Sequence, residues 1–198
     1  MKKIGITGGI GSGKTTVCRV FASFGIPVFY ADTVAKEIMV TDRQLMEGVR
    51  TTFGAESYDE DGRLNNKHIA GIVFNNSTEL EKLNALVHPA VFRAFDEWVA
   101  TVPSTVPYIL KEAALLFESG SYRTCDKTIV VTAPVAMKTQ RVVDRDGLSA
   151  EQVAARMAKQ WSDEEKVELA DFLINNDGSR SLILQVMGLH QQFLNLTD

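Results

Sequence analysis

Five short apolar runs alternate along the chain with stretches whose apolar residues recur every three or four positions. That alternation predicts a parallel sheet with helices on both faces. Residues 3–7 read as a buried strand ended by Gly8-Gly9. A helix is expected over residues 13–24, where Val17, Val20, Phe21 and Phe24 share one face. Gly25 stops it and Pro27 prevents its continuation. Residues 27–30 form the second strand, ending at Ala31-Asp32, and residues 107–111, 127–132 and 172–175 the third, fourth and fifth. The fold expected is α/β, a P-loop NTPase-type three-layer sandwich around a five-stranded parallel sheet.

Residues 34–100 break the alternation and show no buried strand. Leu45, Val49 and Phe53 share one helical face, Ile69, Ile72 and Val73 mark another helix, and Leu80, Leu83 and Val87 a third. Pro89 after His88 fits the first turn of a further helix carrying Phe92, Phe95 and Val99. A helical insertion at 34–100 therefore divides a nucleotide-binding core of residues 1–33 and 101–198. A helix from Pro134 to about Arg145 should end near Gly147, and capping-box spacings at Ser149/Gln152 and Ser162/Glu165 open two more. The last helix carries Leu182, Val186, Leu189 and Phe193 on one side.

Gly8-Gly9-Ile10-Gly11-Ser12-Gly13-Lys14-Thr15 satisfies G-x-x-x-x-G-K-[ST] between a strand and a helix, the context that motif demands. Glycines let successive backbone N–H groups turn inward as a nest for phosphate oxygens, and the following helix adds its positive end. Gly9, Gly11, Ser12, Gly13, Lys14, Thr15 and Thr16 are therefore candidate ATP contacts. Lys14 neutralises the β and γ phosphates, and the Thr15 hydroxyl ligands Mg2+. Ligands of open parallel sheets bind at the carboxyl ends of the strands, where Asp32 and Glu112 fall. Both are candidates to hold the metal through its water shell. The plainer alternatives are a helix N-cap for Asp32 and a surface acid for Glu112.

Several separate motifs resemble dephospho-coenzyme A kinase, a P-loop kinase family related to the nucleoside monophosphate kinases. They are Thr7 to Lys14, Ala31-Asp32, His88-Pro89, Leu115-Leu116-Phe117-Glu118, Arg141 to Asp146, Arg156 to Gln160, and Ala170-Asp171 with Ile174-Asn175-Asn176. Tyr30, Ala114 and Asn66 depart from the family pattern. The resemblance implies phosphorylation of the ribose 3′-hydroxyl of dephospho-coenzyme A by ATP, giving coenzyme A and ADP. It also implies a helical lid at residues 138–165 and an acceptor-binding role for the insertion. Asp32, His88, Leu116, Phe117 and Glu118 would then meet the acceptor, and Arg141 and Asn176 the ATP, with Asp32, Lys14 and Arg141 catalytic. For His88 a helix-start role competes, and for Arg141 and Arg145 surface pairing with Asp144, Asp146 and Glu151.

Two rivals stay open: another small-molecule P-loop kinase, such as a nucleoside monophosphate kinase, and a nucleotide-regulated switch. No N-K-x-D guanine-reading segment supports the switch. The 198 residues carry 45% hydrophobic and 23% charged residues, which argues against disorder. A net charge of −4 gives no general pull towards nucleic acid or anionic membranes. No run approaches the roughly 18 apolar residues of a membrane helix. Cys18 and Cys125 form no metal or redox pattern, and nothing signals export. A cytoplasmic enzyme, monomeric or a small homo-oligomer, is the expectation.

Overall fold

The computed structural model describes residues 1–74 and 76–196. Its chain divides into two compact units, residues 1–30 with 102–198 and residues 31–101. The first begins with β1 (Lys2–Thr7), α1 (Lys14–Ser23) and β2 (Val28–Tyr30). The expected end of β2 at Asp32 is corrected, because α2 (Ala31–Thr41) starts directly after Tyr30 and takes Asp32 into its first turn. Asp32 is thus a helical residue and not the N-cap.

The second unit is built from α2, α3 (Arg43–Phe53), α4 (Asn66–Val73) and α5 (Ser77–Thr101). Asp42 and Asn65 cap α3 and α4 through the N–H groups of Leu45 and His68. Met39, Leu45, Val49, Phe53, Tyr58, Ile69 and Ala90 form its core, and the Tyr58 hydroxyl donates to the Met39 carbonyl at 2.7 Å. Pro89 lies inside α5 and does not start a helix, which corrects the expected break. An interior proline removes one hydrogen bond and costs about 3 kcal/mol. Here the apolar stripe Leu83, Leu86, Val87 and Ala90 runs through it into one core, so burial on both sides offsets that cost.

The chain then returns through β3 (Tyr108–Glu112) and β4 (Lys127–Thr132) to α6 (Val135–Asp146), α7 (Ala150–Met157), α8 (Asp163–Leu169), β5 (Phe172–Asn175) and α9 (Leu182–Leu194). The sheet has the order β2-β3-β1-β4-β5 and every pairing is parallel. Tyr108, Ile109, Leu110, Lys111 and Glu112 are all buried, so both faces of β3 are covered. On one face α1 and α9 place Val17, Cys18, Phe21, Val186, Leu189 and Phe193 against Ile4, Ile6, Leu110 and Ile129. Leu116 packs under Gly5 from the other face, completing three layers.

Phe24 departs from its expected place. It follows the last residue of α1, is 37% exposed, and stacks on His190 instead of entering the core. Cys18, six residues earlier, is buried. No helix among the described residues is long and apolar enough to cross a membrane.

Candidate active site

β1 ends at Thr7 and α1 starts at Lys14, so Gly8 to Gly13 form the connecting loop. Gly11 and Gly13 have φ of 80° and 97°, a region that side chains rarely adopt. A Cβ on Gly11 would collide with the Lys138 carbonyl, and one on Gly13 with the Asn176 side chain. The loop therefore needs glycine twice over, for its turn and for the groups pressed against it.

Those groups hold its shape. Asn176 Nδ2 donates to the Ser12 carbonyl at 2.8 Å. Arg141 Nη1 donates to the carbonyls of Gly11 and Ser12 at 3.3 and 3.5 Å, and its Nη2 to that of Asn176 at 3.0 Å. Lys14 Nζ donates to the Gly8 carbonyl at 2.8 Å, curling back over the loop. On the outer side, Gln160 Oε1 accepts from the Ile10 N–H at 2.9 Å.

At the N-terminus of α1 a cavity of about 320 Å³ is lined by Gly11, Gly13, Lys14, Thr15 and Thr16, with Arg19, Arg141 and Arg145. Four of these eight residues are cationic and none is acidic, which suits a polyanion resting on a helix N-terminus. Arg19 was not singled out from the sequence, although it lies one turn past Thr15 on the same helix. Arg145 also holds Asp146 in a two-point pair of 2.7 and 3.0 Å, while Arg156 stands 3.6 Å from the same carboxylate. The surface pairing considered for Arg145 is therefore present, together with its place at the cavity.

Glu112 ends β3 opposite Tyr30 of β2 and Ile6 of β1. It is 7% exposed, which corrects the surface-acid alternative. Burial pushes the Cys18 thiol up, Glu112 raises it further, and Lys14 pulls it back. Carboxylate and ammonium thus both act on the interior at the base of the loop, and Cys18 stays a neutral thiol. Burial likewise raises the Tyr30 phenol.

The remaining candidates divide. Leu116 and Phe117 are 0% and 2% exposed, so their side chains pack inward. They anchor the turn after β3, Phe117 against the Tyr122 ring. Glu118 Oε1 accepts from the Trp161 N–H at 3.0 Å and lies 3.0 Å from Nζ of Lys166, a lysine buried completely. Lys138, also buried, donates to Asp163 at 2.8 Å. Neither ion pair was foreseen. In the helical unit, His88 is half-buried on α5, and burial lowers its pKa, favouring the neutral ring. Asp32 is exposed in the first turn of α2.

The chain is similar over nearly its whole length to dephospho-CoA kinases. The family model described as dephospho-CoA kinase matches residues 2–181. The dephospho-CoA kinase of Chlorobium chlorochromatii is 41% identical over 197 residues, covering 96% of this chain and 93% of that protein. A solved protein of Thermus thermophilus superposes with a TM-score of 0.85 at 34% identity, covering 100% of this chain and 98% of its own. The dephospho-CoA kinase from Campylobacter jejuni gives 0.70 at 27% identity, covering 96% of both chains. With a phosphate loop shaped by Gly11 and Gly13 and a cationic cavity beside it, this chain belongs to the dephospho-CoA kinase family.

Proposed function

We propose that this enzyme transfers the γ-phosphoryl group of ATP to the ribose 3′-hydroxyl of dephospho-coenzyme A, giving coenzyme A and ADP. The observation that carries the reading is the cavity at the N-terminus of α1, where Lys14, Arg19, Arg141 and Arg145 converge without a carboxylate. Such a lining favours a triphosphate. Charge placed in advance stabilises the transferring phosphoryl group with little reorganisation.

Roles follow from position. Backbone N–H groups of Gly9, Gly11 and Gly13 cradle phosphate oxygens, Ser12 shapes the turn by donating its N–H to the Gly9 carbonyl at 3.1 Å, and Lys14 exchanges the Gly8 carbonyl for the β and γ phosphates. Arg141 and Asn176 keep the loop in its receiving shape, and Arg141 is positioned to add charge as the bond breaks. The oxygen donors Thr15 and Glu112 suit magnesium: the exposed Thr15 would ligand it directly and Glu112 would act through water, a role we assign to Asp32 as well. When bound, the metal would neutralise negative charge on the phosphates.

In the transfer, a bond forms between the 3′-oxygen and the γ-phosphorus and the bridge to the β-phosphate breaks. Asp32 orients the hydroxyl and takes its proton as that bond forms. The helical unit and the segment Leu115 to Glu118 serve the acceptor, with His88 as a neutral contact. We place the reaction in the cytoplasm. Phosphorus NMR of the product tests the regiochemistry. A monoester coupled to the ribose 3′ position is expected, and a phosphate on the 2′ position would contradict the reading.

A further inference from the structure

A further cation, outside the lining of the cationic cavity, meets the phosphate loop at Gly9. Lys138 on α6 reaches the start of α8, where its Nζ lies 2.8 Å from Asp163 Oδ2, with side chains 8% and 16% exposed. The pair sits over Gly9: a Cβ there would lie 3.3 Å from the ammonium and 3.1 Å from the carboxylate. Gly9, Lys138, Gln160 and Asp163 together line a cleft of about 680 Å³. Gln160, three residues before Asp163, holds the Ile10 N–H, so this segment meets the loop at two adjacent residues.

Removing two charges from water costs several kcal/mol per ion, and mutual attraction often fails to repay it. Stability is therefore a weak reason to bury an ammonium against a phosphate loop. A phosphate chain laid along the loop starts at the α1 end, beside Lys14, Thr15 and Thr16. Gly9 lies at the strand end, so the group that reaches it is the terminal phosphoryl group.

We infer that Lys138 is a further catalytic cation of this kinase, resting on Asp163 between turnovers and moving to a γ-phosphoryl oxygen when ATP binds. Asp163 is the stand-in anion that keeps the ammonium paired while the site is empty. Lys138 forms no covalent bond. It supplies charge as the bridge to the β-phosphate breaks. The inference rests on the kinase reading above.

The two partners then have opposite effects on nucleotide preference, which an ion pair serving only as a latch would not produce. Calorimetric titration with Mg·ATP and Mg·ADP measures that preference in the parent, Lys138→Met and Asp163→Asn. Lys138→Met should lower the preference for ATP over ADP at least about threefold. It should also lower turnover at least about tenfold, below the full effect of losing a preorganised donor. Asp163→Asn should raise the preference at least about threefold, because the γ-phosphate now supplies the missing anion. Should Lys138→Met fail to fold, Lys138→Gln replaces it, and the Asp163→Asn ratio alone still decides. Unchanged ratios, or shifts in the same direction for both partners, overturn the inference. Steady-state turnover of dephospho-coenzyme A by the parent, measured beside the titrations, separates its failure from failure of the kinase reading.

Discussion

Asn176 reaches the phosphate loop from beyond the last strand and donates a 2.8 Å hydrogen bond from its side-chain amide to the carbonyl of Ser12. Its own carbonyl accepts from Arg141, so one residue ties the loop to α6. Asn176→Ala removes the first of these bonds and leaves the second. A net hydrogen bond of about 0.5–1.5 kcal/mol converts to a loss of roughly threefold to tenfold in ATP affinity. Calorimetry with Mg·ATP checks this. Parental affinity would make the brace dispensable.

Arg141 spans three carbonyls with one guanidinium. Arg141→Ala should therefore weaken ATP binding and lower turnover, with turnover losing more because the charge matters most as the phosphoryl group departs. Arg141→Lys should restore little of it, since an ammonium cannot reproduce a planar fork. Steady-state kinetics at saturating ATP and acceptor provide the comparison. A turnover number equal to the parent's leaves Arg141 as a brace alone.

Asp32 lies in the first turn of α2, where an acid also favours the helix electrostatically. Asp32→Asn keeps the shape and should leave the fold and ATP binding nearly intact. A positioned base is worth about 10²–10⁴-fold, so turnover should fall at least about a hundredfold. Turnover within about threefold of the parent excludes a contribution of that size.

The helical unit has its own pH signature at Asp42. The Leu45 N–H lowers its carboxyl pKa below the ordinary range, burial opposes, and Arg93 at 2.9 Å adds to the lowering. A carboxyl depressed on folding stabilises fully above its unfolded value of about 3.9 and loses that contribution as pH falls through the folded value. Asp42→Ala should cost about 1 kcal/mol at neutral pH, the usual loss of an N-cap. The difference from the parent should shrink as pH drops below about 4. Urea melts at pH 7 and pH 3 make the comparison, and a constant difference would contradict the assignment.

Much of this architecture is legible in the sequence because local signals agree with the fold. Residues 127–132 and 172–175 are strands with the bounds their apolar runs suggest. Ser149 and Ser162 form their capping boxes with Gln152 and Glu165, and Gly147 ends α6 in the left-handed conformation. What escaped depends on partners distant in the chain. Pro89 reads as a helix start, yet a core drawn from α3, α4 and the residues around Tyr58 carries α5 through it. The packing of Leu116 against Gly5 is visible only once β1 and β3 are paired. Lys138 and Asp163, or Glu118 and Lys166, look like ordinary surface charges until α8 folds back beside the loop.

The account stands on the acceptor, and the most direct measurement is initial-rate ADP formation by the purified protein with saturating Mg·ATP. Dephospho-coenzyme A, adenosine monophosphate, cytidine monophosphate and water are compared as acceptors, each with and without chelation of the metal. Dephospho-coenzyme A should give the highest turnover, and chelation should abolish it. A nucleoside monophosphate turned over tenfold faster or more, a difference of about 1.4 kcal/mol in barrier, would contradict the account.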